Sequence, residues 1–235
     1  MLLLLAALAP LHVASRLIAG RSRWPRRFLA GAAWIVGLRP RLSGAPLKPH
    51  SLLISNHLSW LDILALGQTT GCAFVAKDNL GHGLIHWLAD QNHTVYVRRE
   101  HRRGALGQAE TIARALEGEQ PVALFPEGTT GRGDHLLPFR STLLEAAAIA
   151  AKDVEIRPVA IDYGAATPEV GWQDEPGMDN AMRILGRPGK LPVTVHLLPP
   201  LWHSGDRKQL AHAAREAIAE TLASSRGSTP LYPAS

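Results

Sequence analysis

From residue 51 onward the chain alternates short apolar runs with longer amphipathic segments, the layering of an α/β fold. Runs at 51–55, 73–76, 94–97, 121–125, 154–161 and 193–198 predict strands, most of them rich in Val, Ile or Leu. Such apolar density suits a sheet covered on both faces. Segments 59–68, 83–89, 103–117, 141–152 and 207–224 predict helices. In the last of these, Leu210, Ala214, Ile218 and Leu222 stand four apart, a stripe that packs on its own sheet or docks on a membrane. Between 164 and 190 the pattern gives way to Gly, Pro and acidic residues, with one short helical stretch near 178–185. This predicts a long loop over one end of the sheet. The expected fold is α/β, a mostly parallel or mixed central sheet flanked by helices.

The first fifth of the chain has a different pattern. It opens on an apolar run interrupted by Pro10 and His12 and closed by Arg16; a second apolar stretch covers 28–38. Neither reaches the roughly 20 apolar residues of a full span. The connector Arg21-Ser-Arg-Trp-Pro-Arg-Arg is basic and holds a Trp suited to headgroup level. Two short helices dipping into one leaflet and holding anionic headgroups are expected, with a single span as the alternative. The basic residues follow the apolar run, whereas a secretory signal carries them first.

Charge strengthens that reading. Residues 1–50 hold eight Lys and Arg and no Asp or Glu, while the other 185 hold 17 basic and 20 acidic residues. The entire net charge of +5 therefore comes from the N-terminal fifth. Arginines interleaved with leucines, with only Trp24 and Trp34 as aromatic platforms, suit lipid phosphate and speak against a nucleic-acid partner. At 46% hydrophobic and 19% charged residues the chain is no disordered segment. Its single cysteine, Cys72, excludes an internal disulfide or a thiolate-rich zinc module. The predicted organisation is a membrane-associated helical hairpin over 1–42, an α/β domain over 43–225 and a loose tail over 226–235.

Three segments carry candidate chemistry. The strand at 51–55 runs into Asn56-His57-Leu58-Ser59-Trp60-Leu61-Asp62, which places a polar group at the carboxyl end of the sheet, where open α/β folds build their sites. Asn56 or Ser59 can cap the helix that follows. Asp62, five residues after His57, can fold back to fix the tautomer of the imidazole and leave its other nitrogen free for a proton. A purely structural capping role is the competing reading. In Phe125-Pro-Glu127-Gly128-Thr129-Thr130-Gly131, Pro126 stops the ladder, Glu127 is expected to project at the sheet edge, and Gly128 lets backbone N–H groups face a phosphate or an oxyanion. The glycine spacing fits neither a dinucleotide fingerprint nor a P-loop. Third, Thr94-Val-Tyr-Val-Arg98-Arg99 ends a strand on two arginines, with Arg102 and Arg103 beyond: planar forks for phosphate, or a solvated basic face.

Rival chemistries are weaker. Ser59 lies two residues from His57, with no nucleophile elbow around it, which argues against a hydrolase triad. His82 and His86 with Asp90 have a metal-like spacing, but Gly81 and Gly83 flank the first histidine and no metal site is expected. Cys72 is expected as a small buried residue.

Taken in order, Asn56-His57 with Asp62, Val97-Arg-Arg99, Phe125-Pro-Glu-Gly-Thr129 and Ile156-Arg-Pro158-Val-Ala-Ile161 resemble the four blocks of the glycerolipid acyltransferases. By pattern the chain is most similar to bacterial 1-acylglycerol-3-phosphate acyltransferases, and the resemblance covers about residues 45–200. It implies the corresponding α/β fold with an N-terminal membrane element, a catalytic pair at His57 and Asp62, and acceptor contacts at Arg99, Glu127, Gly128 and Thr129. Lys77 matches a lysine common between the first two blocks. Many members carry an arginine where this chain has Thr130, another acceptor-side position. The Gly-Thr-Thr variant also resembles acyltransferases that finish ornithine lipids.

The resemblance implies a membrane-bound O-acyltransferase of phospholipid biosynthesis. It would move a fatty acyl group from a coenzyme A or acyl-carrier-protein thioester to a lyso-lipid hydroxyl, with no cofactor. The expected acceptor is 1-acyl-sn-glycerol-3-phosphate and the alternative a lyso-ornithine lipid. A non-catalytic lipid-binding protein is the alternative of another class. The expected location is the cytoplasmic face of a bacterial inner membrane, with membrane lipids, acceptor and acyl donor as partners.

Overall fold

A computed structural model describes residues 1–20, 22–77, 83–97, 105–149, 154–202, 205–225 and 227. Among the described residues seven strands form one sheet: β1 (Leu38–Gly44), β2 (Ser51–Ser55), β3 (Ala73–Lys77), β4 (Val95–Val97), β5 (Val122–Leu124), β6 (Glu155–Asp162) and β7 (Leu191–Leu197). Their order is β1-β7-β6-β2-β5-β3-β4. Every pairing is parallel except β6 with β7. Strands β2 to β6 thus share one direction and end on one edge, while β7 and β1 run the other way. The sheet is mixed, as expected.

Helices α3 (Leu61–Thr70), α4 (Leu84–Gln91), α5 (Ala105–Leu116) and α6 (Glu145–Ile149) connect the parallel strands, with a 3₁₀ turn at Ser141–Leu144 ahead of α6. Strands β2 and β6 are buried almost throughout because helices cover both faces of the sheet. One apolar cluster lies on the side of α2 (Trp24–Ile35) and α3 and includes Leu53, Leu61, Phe74, Phe125, Val159 and Ile184. The other, beneath α5, α6 and α9 (Arg207–Ser225), includes Leu52, Ile54, Ile112, Leu144 and Leu210. The stripe Leu210, Ala214, Ile218 and Leu222 is buried, so it packs inward.

Strand β1 was not legible in the pattern. Its sequence, Leu-Arg-Pro-Arg-Leu-Ser-Gly, buries only Leu38, and among the described residues it pairs along one side only, with β7. Pro40 is tolerated because an edge strand has one row of N–H groups with no ladder partner. The sheet therefore begins at Leu38, so that five residues of the segment 1–42 expected in the hairpin belong to β1.

The loop predicted over 164–190 holds a 3₁₀ turn at Gly164–Ala166 and two helices, α7 (Thr167–Val170) and α8 (Gly177–Leu185). It meets the glycine-rich segment directly. The Trp172 N–H donates to the Gly131 carbonyl at 3.0 Å, and Arg132 pairs with Asp174. A Cβ on Gly171 would lie 2.0 Å from the Arg132 carbonyl oxygen, so only glycine permits this approach.

At the N-terminus, α1 (Leu2–Ala19) and α2 (Trp24–Ile35) form the hairpin. Helix α1 runs unbroken through Pro10, His12 and Arg16, where a shorter element was expected; Pro10 removes one helix hydrogen bond without ending the helix. At 18 residues it is long and apolar enough to cross a membrane by length and composition, and almost none of it is buried. Gly20 closes it in the left-handed conformation, and a proline in the first turn opens α2. Buried His12 bonds Ser22 at 2.8 Å and Gln91 of α4 at 2.9 Å, tying the middle of α1 to the α/β body.

Candidate active site

The parallel strands deliver their next residues to one edge, and the first-block residues meet there. Asn56 follows β2 and is fully buried. Its side chain does not cap α3: it donates to the Ile161 carbonyl at 3.0 Å and accepts the Ile161 N–H at 2.8 Å, clamping the end of β2 to β6. Nor does Ser59 hold the cap position, which is Trp60 and makes no side-chain cap bond; Ser59 Oγ accepts the Leu61 N–H at 3.4 Å from one residue further out. Asp62 lies in the first turn of α3, where the helix dipole favours negative charge.

His57 Nδ1 lies 2.8 Å from Asp62 Oδ2. The same oxygen accepts the N–H groups of Leu58 at 2.6 Å and Ser59 at 2.9 Å. Asp62 is fully buried, while the His57 side chain keeps 18% of its surface open. The imidazole stacks on Phe125, with centroids 4.1 Å apart and an interplanar angle of 17°. With Nδ1 committed to the carboxylate, Nε2 is the nitrogen available to exchange a proton. The carboxylate thus fixes the ring and also folds the turn that carries it.

Glu127 departs from its expected projection at the sheet edge. It is 4% exposed, and Oε1 accepts the His57 N–H at 2.7 Å while Oε2 accepts the Leu137 N–H at 3.0 Å. Burial pushes its carboxyl up to about 7, opposed by the two backbone hydrogen bonds. Pro126 supplies no N–H to the ladder, but its carbonyl accepts the Arg140 N–H at 2.9 Å, so the chain bends inward and takes Glu127 with it. Gly128, at φ +72°, donates its N–H to the Phe125 carbonyl at 3.1 Å, and Gly131 donates to the His57 carbonyl at 3.0 Å. These two N–H groups are engaged in holding the turn. Thr129 is exposed and Thr130 half-buried beside them.

Lys77 ends β3 on the same sheet edge. Arg99, with Arg98, Arg102 and Arg103, lies outside the described residues, as does His82. His86 pairs with Asp90 at 3.2 Å and stacks on Tyr96, which accounts for both polar groups. Among the described residues no group of three or more His, Cys, Asp or Glu is arranged to hold a metal ion. Cys72 is buried, and burial pushes its thiol up to about 12, where it is a poor nucleophile. One residue of the site escaped sequence reasoning. Tyr163, just past β6, donates its hydroxyl to Asp62 Oδ1 at 2.7 Å across 101 residues of chain.

The sequence profile of the family described as Acyltransferase matches residues 39–162. A lyso-ornithine lipid O-acyltransferase of Rhodobacter capsulatus is 33% identical over 93% of this chain and 86% of its own length. The enzyme of the same name from Pseudomonas aeruginosa is 32% identical over 84% of this chain and 78% of its own. A 1-acyl-sn-glycerol-3-phosphate acyltransferase of Neisseria meningitidis is 34% identical over 44% of this chain and 41% of its own. Among solved structures, the 1-acyl-sn-glycerophosphate acyltransferase of Thermotoga maritima superposes with a TM-score of 0.61 over 94% of this chain and 95% of its own. At 18% identity that likeness speaks for the fold alone.

Proposed function

The chain belongs to the acyltransferase family, and on that premise we propose that it moves a fatty acyl group from an acyl thioester to the hydroxyl of a lyso-ornithine lipid at a membrane surface. The observation that carries this acceptor is the extent of similarity. Likeness to lyso-ornithine lipid acyltransferases runs through nearly the whole chain, whereas likeness to the Neisseria glycerophosphate enzyme covers under half of it. Thr130 agrees. A phosphomonoester needs close cationic partners when desolvated, and this position offers only a hydroxyl.

His57 Nε2 takes the proton of the acceptor hydroxyl as its oxygen attacks the thioester carbonyl. When the tetrahedral intermediate collapses, the C–S bond breaks and the thiol leaves with that proton. A base so placed is worth about 10²–10⁴-fold. Asp62 offsets the charge that develops on the imidazole. Because Gly128 and Gly131 already use their N–H groups, Thr129 is the oxyanion donor of choice in this turn. Lys77 and Arg99 serve the acceptor's anionic group.

The hairpin lies in the inner leaflet of a bacterial membrane, on the cytoplasmic side. The bond from His12 to Gln91 supports lying over spanning, because a perpendicular α1 would draw α4 into the hydrocarbon.

The test is transfer by the detergent-solubilised full chain, with lyso-ornithine lipid and lysophosphatidate each offered to coenzyme A and carrier-protein thioesters. Lyso-ornithine lipid is expected to be acylated, and Thr130→Arg to impair that transfer by setting a like charge near the ornithine amine. Turnover of lysophosphatidate alone would overturn the acceptor assignment.

A further inference from the structure

We propose that Tyr163 is a positioning residue of the transfer reaction, its hydroxyl locking the Asp62 carboxylate in the one rotation that serves His57. The proposal rests on His57 acting as the base. Oxygen Oδ2 of Asp62 already gathers three donors: the His57 ring and the N–H groups of Leu58 and Ser59. Oxygen Oδ1 faces the other way and receives the Tyr163 hydroxyl at 2.7 Å. Rotating the carboxylate would break all four bonds together. Both residues are buried, Asp62 fully and Tyr163 to 2% exposure, so no water stands in for the phenol at ordinary cost.

The fold delivers this hydroxyl with little freedom. Asn56 grips the Ile161 backbone from β2, two residues before Tyr163. The Tyr163 carbonyl then accepts the Ala166 N–H at 3.1 Å and opens the 3₁₀ turn Gly164–Ala166. Burial, followed by the charge of Asp62, pushes the phenol well above its ordinary range, so it remains a donor at any working pH. Four donors on one carboxylate fix its orientation in a dry site. That fixed charge stabilises the imidazolium as the proton arrives, and the effect appears in the transition state more than in substrate binding.

Tyr163→Phe in the full chain removes one atom and tests this directly. Its kcat is expected to fall roughly tenfold or more with KM within about twofold, since losing a bond to a charged group in the transition state has that signature. In an Asp62→Asn background the same change is expected to cost no more than about twofold, because the charge it serves is gone. Three results would overturn the proposal: a folded Tyr163→Phe chain with wild-type kcat, an equal fold-loss in both backgrounds, or a Tyr163→Phe chain that no longer melts cooperatively. A His57→Ala chain that keeps wild-type turnover would instead overturn the base assignment itself.

Discussion

The site edge and the N-terminal hairpin invert the usual partition of polar and apolar groups in opposite senses. At the edge, Asn56, Ser59 and Asp62 are fully buried and Glu127 nearly so. In the hairpin, Leu2, Leu3, Leu17 and Ile18 are 74%, 88%, 82% and 87% exposed. Buried polar groups are tolerated at the site because each accepts or donates within a connected network. Exposed leucines have no such compensation in water and suit a lipid partner. The hairpin is nevertheless fastened by polar bonds. Arg26 donates to the Gln68 and Thr69 carbonyls at the end of α3, and His12 reaches Gln91. One region gathers its polar contacts around the His57–Asp62 pair and the other uses them as a mount.

If the two regions act independently, each should fail alone. The largest effect is expected from His57→Ala, which should lower turnover by about 10²–10⁴-fold while leaving vesicle binding and the melting curve intact. Turnover at the wild-type rate would break the comparison at its chemical end.

Next comes the paired change Leu3→Gln with Ile18→Gln. At about 1.5 kcal/mol or more for each apolar side chain, vesicle partitioning should weaken roughly a hundredfold. Activity on detergent-dispersed substrate should stay near wild type. Sedimentation with vesicles measures the first and a soluble assay the second; loss of both together would mean the regions are coupled.

Arg23→Gln with Arg27→Gln should weaken binding to anionic vesicles by about 1 kcal/mol per residue, and the difference should fade in high salt. Arg26 is left in place because its guanidinium is engaged at α3. Neutral vesicles should not distinguish the variant from wild type.

The remaining effect touches stability alone, without activity or membrane binding, and belongs to Glu127. Its carboxyl titrates near 4.5 in the unfolded chain and about 7 in the folded one, so the folded state holds the extra proton between those values. Its contribution is complete below pH 4.5 and is lost as pH rises through 7, with a slope of at most about 1.4 kcal/mol per pH unit. Denaturant melts of Glu127→Gln across pH 5 to 8 should lack this slope. An identical slope in the variant would assign it elsewhere.

How much of this was legible depends on distance along the chain. His57 and Asp62 stand five apart, and the turn that joins them follows from the sequence between them. The strands that frame the site also announce themselves, β2 through the apolar run 52–54 and β6 through the run 158–161. Strand β1 does not, because pairing along one side leaves its pattern polar and proline-bearing. Glu127 was visible as a residue type, but its direction was not. Nothing in Phe-Pro-Glu-Gly-Thr says that the carboxylate turns inward to the His57 and Leu137 N–H groups.

The sequence by itself determined the α/β layering, the apolar and basic N-terminus, and the spacing that sets His57 beside Asp62. These are local properties, set by side-chain period, charge and short spacing. Tertiary structure alone decided that β6 lies beside β2, and hence that Tyr163 meets Asp62 and Asn56 meets Ile161. Strand order depends on which faces bury together across a hundred residues of chain, a balance of packing that no local window contains.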